Sequence, residues 1–76
     1  MTWEIDKIIS VANNLATTGE TSASTGEQIA AAFVMNRMEW LPANYKDVVE
    51  AWDRLGDWQE FVRIVKRDYQ ASLVPW

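Results

Sequence analysis

Four carboxylates recur at helical spacing in the second half of the chain. They are Asp47, Glu50, Asp53 and Asp57, and steps of three or four residues place them along one side of a helix. Acid–base catalysis by paired carboxylates needs two acids in one cleft, with pKa values separated by unequal burial. A stripe beside Arg54, which offers ordinary ion pairs, is more typical of a solvated helix face. We therefore treat the four acids as candidate partner-binding residues.

Other groups that could do chemistry are scarce. The sequence has no cysteine and no histidine, which removes thiolate nucleophiles, imidazole bases and most transition-metal ligands. Hydroxyl side chains are frequent in residues 17–26, but a serine nucleophile needs a base and an oxyanion hole. A hard-cation site would need an acidic loop with a sharp glycine turn. We predict a non-enzymatic protein without a cofactor or metal.

Gly19 and Gly26 bracket a segment whose spacing invites comparison with a phosphate-binding loop. No lysine follows Gly26 and no strand pattern precedes Gly19, and Glu20 would repel a phosphate. The pattern therefore predicts a flexible connector over residues 17–26.

Tryptophan is unusually frequent, with five residues among 76. Indole rings usually fill cores or anchor interfaces. Trp52 and Trp58 lie on apolar helical stripes and are expected in the core, and Trp3 is expected to cover one end of it. Trp40 and Trp76 lie near prolines, outside the predicted helices. Packing is favoured for Trp40, both interpretations stay open for Trp76, and both residues are candidate partner-binding residues.

Length and charge limit the classes of function. A chain of 76 residues, 49% hydrophobic and 24% charged, has the composition of one globular domain, residues 1–76. A net charge of −4 argues against a nucleic-acid partner, because binding phosphates needs a basic face. No apolar run approaches the ~20 residues that cross a membrane, and the first residues are acidic where a secretory signal is basic. We expect a cytoplasmic protein that does not bind membranes.

Hydrophobic periodicity predicts the first two helices. Helix 1 is expected from Trp3 to Thr17, with apolar residues at steps of three and four. Helix 2 follows residues 17–26, where two overlapping capping boxes are predicted. The run from Ile29 to Met35 is apolar on every side, which indicates a central helix with neighbours on several faces. The two boxes pair Ser24 with Glu27 and Thr25 with Gln28.

Helix 3 is predicted after Pro42, which is expected to end the preceding element. Asn44 with Asp47 resembles a capping box at the start, and the helix is expected to run to about Leu55. The apolar stripe that it would turn to the core consists of Tyr45, Val48, Val49 and Trp52.

Helix 4 is predicted to follow almost without a linker. Gly56 suits the left-handed position after a helix, and Asp57 with Glu60 could open the next one. So short a junction predicts a bent pair of helices, followed by a tail over residues 72–76. The apolar face of helix 4 consists of Trp58, Phe61, Val62, Val65 and Tyr69.

These elements together predict an all-α fold. We expect a small four-helix domain in which helix 2 is central, helix 1 packs against it, and helices 3 and 4 close the other side as a bent pair.

The order of several segments resembles a known group of proteins. The segments are Thr25-Gly-Glu-Gln28, the apolar run Ile29 to Met35, Asp47, Trp52-Asp53 and the amphipathic stretch Trp58 to Val65. This order is similar to a family of short, uncharacterised proteins encoded on bacterial plasmids and phages, in which a TG-containing turn precedes an apolar helix and an Asp-rich second half. The resemblance implies a mobile-element origin and no particular activity.

The function predicted from the sequence is a protein-binding module, a phage or plasmid accessory factor that binds and modulates a host protein. It follows from small size, acidity, missing catalytic residues and the surplus of tryptophan. One alternative is a structural homodimer in which the tail around Trp76 and the edge near Trp40 bury each other. Another is an acidic DNA mimic that uses the carboxylate stripe to inhibit a nucleic-acid-binding enzyme.

Overall fold

The computed structural model describes residues 2–19 and 23–73, and these ranges form an all-α fold without strands. The predicted small four-helix domain is confirmed. None of the described helices has the length and apolarity to cross a membrane. The helices are α1 Trp3–Thr18, α2 Thr25–Val34, α3 Val48–Leu55 and α4 Trp58–Asp68.

In residues 2–19 and 23–73, three short 3-10 turns accompany the helices. Two of them, Met38–Trp40 and Ala43–Tyr45, lead from α2 to α3, and Gln70–Ser72 follows α4. α1 runs one residue further than predicted and ends at Gly19, whose φ of 79° is left-handed and whose N–H donates to the Leu15 carbonyl.

The central position predicted for α2 is confirmed. Its residues Ile29, Ala30, Ala31 and Ala32 have no exposed surface, and the helix contacts α1, α3 and α4. The distance between packed helices depends on the side chains at the contact, so the three alanines allow close neighbours. α1 adds a stripe of five buried side chains, Ile5, Ile8, Val11, Ala12 and Leu15.

The first of the two predicted capping boxes opens α2. The Ser24 hydroxyl accepts from the Glu27 N–H at 3.3 Å, and the Glu27 carboxylate accepts from the Ser24 N–H at 3.0 Å. The second predicted box is wrong. Thr25 is already the first helical residue, and Gln28 instead donates from Nε2 to the Trp40 carbonyl at 2.8 Å.

α2 ends well before Pro42, so the proline does not end it as predicted. Asn36 adopts a positive φ of 56°, and its N–H donates to the Phe33 carbonyl at 3.2 Å. The Arg37 N–H donates to the Ala32 carbonyl at 2.8 Å. This pair of bonds is a Schellman motif with asparagine at the left-handed position, and it satisfies carbonyls that the helix end leaves free.

α3 begins later than predicted. Asn44 lies in a 3-10 turn and does not cap the helix. Asp47 is the N-cap, and its carboxylate accepts from the N–H groups of Val49 at 2.9 Å and Glu50 at 3.1 Å. The capping function therefore falls on Asp47 alone, and Val48 is the first helical residue.

The predicted apolar stripe of α3 is wrong at its two central residues, Val48 and Val49, whereas Tyr45 is half-buried and packs against the core. Ala51 and Leu55 are buried and Trp52 is half-buried, whereas Val48 is 45% exposed and Val49 is 69% exposed. Ala51, Trp52 and Leu55 lie at helical spacing on the side toward α2, which turns Val49 to the opposite side. Val48 stays partly exposed in the first turn of the helix.

Gly56 and Asp57 alone separate α3 from α4, which form the predicted bent pair. Gly56 has the predicted positive φ, but φ 55° with ψ −122° matches the first central position of a type II′ turn. The box predicted for Asp57 and Glu60 is wrong. Asp57 makes no side-chain cap, because its backbone is already helical where an N-cap is extended.

α4 is tied to the end of α2 by Lys66. Its Nζ donates to the Phe33 carbonyl at 3.3 Å and to Asn36 Oδ1 at 2.8 Å. A cation at this position also complements the negative end of the α2 dipole. On the inner face of α4, Val62 and Val65 are buried, as the periodicity predicted.

Candidate functional site

The four predicted acids do not meet in a cleft. All are exposed, and Asp47 uses its carboxylate to cap α3. Among residues 2–19 and 23–73, no ion pair involves Glu50, Asp53 or Asp57. Glu50 and Asp53 lie one turn apart on the outward side of α3, so the structure brings these two carboxylates together at the surface.

Two exposed valines lie beside these carboxylates. Within the described ranges the exposed large apolar side chains are Trp3, Val48 and Val49, and the two valines are neighbours. Asp53 lies one helical turn after Val49, and Glu50 lies next to it on the outward side. We call Val48, Val49, Glu50 and Asp53 the α3 patch.

Sequence reasoning missed the valines because it assigned them to the core. Ala51 and Leu55 are also spaced by one turn, and with Trp52 they make a second stripe that competes with the predicted one. The packing of Ala51 and Leu55 into the core selects between the two stripes, and no local signal in the sequence indicates that packing.

Trp40 is half-buried and packs against the core. The Arg37 guanidinium lies 5.6 Å from the centre of its ring, within the range of a cation–π contact. The Trp40 carbonyl accepts the bond from Gln28. Much of this indole is therefore already in contact with the chain itself. Trp76, the other indole proposed for a partner, lies outside the described residues.

The other tryptophans form edge contacts at the margin of the core. Trp52 lies 5.1 Å from Phe33 between ring centres, and the Arg63 guanidinium lies 5.3 Å from the Trp52 ring. Trp58 lies 5.9 Å from Trp3, which is 65% exposed. Trp52 and Trp58 are half-buried, so they border the core and do not fill its centre. Trp3 covers less of the core than predicted.

A cleft of about 220 Å³ lies at the start of α2. A Cβ added to Gly26 would lie 3.8 Å from Arg54 Nη1, so this guanidinium borders the first turn. Ser24 and Glu27 already satisfy each other in the capping box. Two polar side chains of the cleft therefore already serve to close the start of α2. It is lined by Ser24, Gly26, Glu27, Arg54, Leu55 and Trp58.

Two carboxyl groups outside the α3 patch have lowered pKa values. In the part of the chain that the structure describes, no group of three His, Cys, Asp or Glu side chains could hold a metal ion. Hydrogen bonds from its own backbone N–H and from Arg37 lower the pKa of Glu39 below its usual value. A hydrogen bond from Arg67 similarly lowers the pKa of Asp68.

Comparison of this chain with protein-family models, with curated proteins and with solved structures gives no match.

Proposed function

We propose that this chain is a non-enzymatic protein-binding module and that the α3 patch is its contact surface. The observation that supports the proposal most directly is the exposure of Val48 and Val49 side by side on one helix. Apolar surface contributes about 25 cal/mol for each Å² removed from water, so a protein that covers both valines gains free energy of binding. Glu50 and Asp53 border the valines and would limit which proteins can cover them.

We further propose that the partner is a bacterial host protein and that the chain acts as a plasmid- or phage-encoded accessory factor in the cytoplasm. Small size and net charge −4 support a module that acts by occupying another protein. The resemblance of the segment order to short plasmid and phage proteins supports the mobile-element origin.

A parallel capture experiment tests the contact surface. The wild-type chain and the double variant Val48→Ser, Val49→Ser are immobilised and exposed to the same bacterial lysate at native salt. We expect mass spectrometry to find a protein enriched by the wild type and lost with the variant, because serine removes most of the apolar contact.

The matched control is Ser10→Ala with Asn14→Ala, which changes two exposed residues of α1. It should retain the protein that the wild type captures. Circular dichroism should show that all three proteins are equally helical. If the wild type and the valine variant recover the same proteins, the α3 patch is not the contact surface and the proposal fails.

The two alternatives have weaker support. For the homodimer, Trp40 already packs against its own core, which leaves less of one of its two contact surfaces for a second chain. For the DNA mimic, Glu50, Asp53 and Asp57 are exposed as required, but Asp47 is engaged as the N-cap of α3.

A further inference from the structure

We infer that the segment covering the α3 patch is cationic and amphipathic, with lysine or arginine side chains flanking apolar ones. This inference rests on the proposed function, and it adds the chemistry of the partner to it.

The first step concerns the apolar contact. Val48 and Val49 are consecutive exposed residues at the start of α3. Val49 lies opposite Ala51 and Leu55, which are buried in the core, and Val48 is exposed in the first turn. The patch is therefore a rigid, convex surface with a narrow apolar centre. An amphipathic helix presents a narrow row of apolar side chains, and such a row packs alongside a single exposed helix by placing its ridges in the grooves of that helix.

The second step concerns charge. Residues 46–57 contain four acids and two basic residues, so the region is negative, and Glu50 and Asp53 border the valines directly. Neither carboxylate has an ion-pair partner among the described residues. When a partner covers the valines, it brings its own side chains beside these carboxylates, and like charges there would oppose binding. The flanking side chains of the partner are therefore basic.

The third step separates this partner from other occupants. A nucleic acid or an anionic lipid surface carries phosphates, which the carboxylates repel. A second copy of this chain also has net charge −4, so its overall charge opposes approach to these carboxylates. A separate basic protein segment satisfies both the valines and the carboxylates.

The test uses the full chain and two synthetic peptides of about 14 residues, or roughly four helical turns. One peptide places leucine and lysine at amphipathic helical spacing, and the other has glutamate in place of every lysine. Titration followed by two-dimensional nitrogen–proton NMR should show shifts at residues 48–53 with the lysine peptide and none with the glutamate peptide. The affinity should fall as salt concentration rises, because exposed charges are screened.

Two charge variants locate the interaction. Glu50→Gln with Asp53→Asn should weaken binding of the lysine peptide roughly threefold to tenfold, since each exposed charge pair contributes a modest amount. Glu4→Gln with Asp6→Asn removes two carboxylates from α1 and changes the net charge equally. This control should leave the affinity within about twofold of the wild type, because screening limits charges distant from the contact.

Four results would overturn the inference. Three are equal binding of the glutamate peptide, equal weakening by the α1 control, and full lysine-peptide affinity in the Val48→Ser, Val49→Ser variant. The fourth is a wild-type dimer in sedimentation that becomes a monomer in that valine variant, since a second copy would then cover the α3 patch. If neither peptide binds while lysate capture still depends on the valines, the cationic partner is wrong and the protein-binding function stands. If capture is independent of the valines, the proposed function fails separately.

Discussion

α2 and α3 are both rich in apolar side chains, but they differ in how much of that surface is covered. α2 contacts three helices, and Ile29 has no exposed surface. α3 packs mainly against α2, with fewer contacts to α4, and leaves Val49 largely in water. An apolar stretch is therefore buried only where enough neighbouring elements surround it. α3 has too few neighbouring helices to cover all of its apolar side chains.

The largest expected effect tests this difference in burial directly. Ile29→Ala should lower the free energy of unfolding by about 2–5 kcal/mol, because it removes buried methyl groups and leaves a cavity. Val49→Ala should change the free energy by only about 0.5 kcal/mol or less, as is usual at exposed positions. Urea denaturation followed by circular dichroism measures both.

Equal losses of unfolding free energy in the two variants would mean that Val49 is covered in solution and would contradict the difference in burial between α2 and α3. A loss in the Ile29 variant alone would support that difference.

The burial of α2 was predictable because its sequence offers no alternative. Every side of the run from Ile29 to Met35 is apolar, so any rotation of the helix buries the same residue types. The Ser24–Glu27 capping box was also predictable, since both bonds are local.

The rotation of α3 was not predictable in the same way, and the candidate surface changed with it. Two apolar stripes compete there, and the packing of Ala51 and Leu55 against α2 selects one. The carboxylates Glu50 and Asp53 were identified from spacing, but the exposure of Val48 and Val49, which precede them, was not. Likewise, Gln28 bonds to the distant Trp40 carbonyl, a tertiary contact that no local motif indicates.

An intermediate effect is expected at two glycines, one just after α3 and one in the first turn of α2. Gly56→Ala, just after α3, should cost about 1–3 kcal/mol, because an alanine is strained at φ 55° and ψ −122° even though a Cβ there meets no atom. Gly26→Ala, in the first turn of α2, should stabilise the protein by up to about 1 kcal/mol, since alanine favours the helix. Thermal unfolding of both variants provides the measurement.

Destabilisation by Gly26→Ala would contradict the expected gain in helix stability, since the added Cβ makes only an ordinary contact with Arg54. An unchanged stability in Gly56→Ala would show that the α3–α4 junction relaxes to another turn.

The smallest expected effect concerns the start of α3. Asp47→Ala should cost about 1 kcal/mol, because two N–H groups lose the carboxylate that accepts from them. Asp57→Ala, at the corresponding position before α4, should change stability by about 0.5 kcal/mol or less, since its side chain makes no cap. Denaturant midpoints at neutral pH measure the stability of both variants. A larger loss of stability in the Asp57 variant would contradict the assigned caps.

The bond from Lys66 to the end of α2 has a consequence for how the two ends of the central helix are held. The Schellman motif at Asn36 closes with local atoms, but the ammonium group that reinforces it lies 30 residues further along the chain. The Ser24–Glu27 box at the first turn needs no other helix, whereas the last turn receives the Lys66 bonds only when α4 is docked. Local opening of α4 therefore weakens the carboxyl end of α2 and leaves the bonds at its amino end in place.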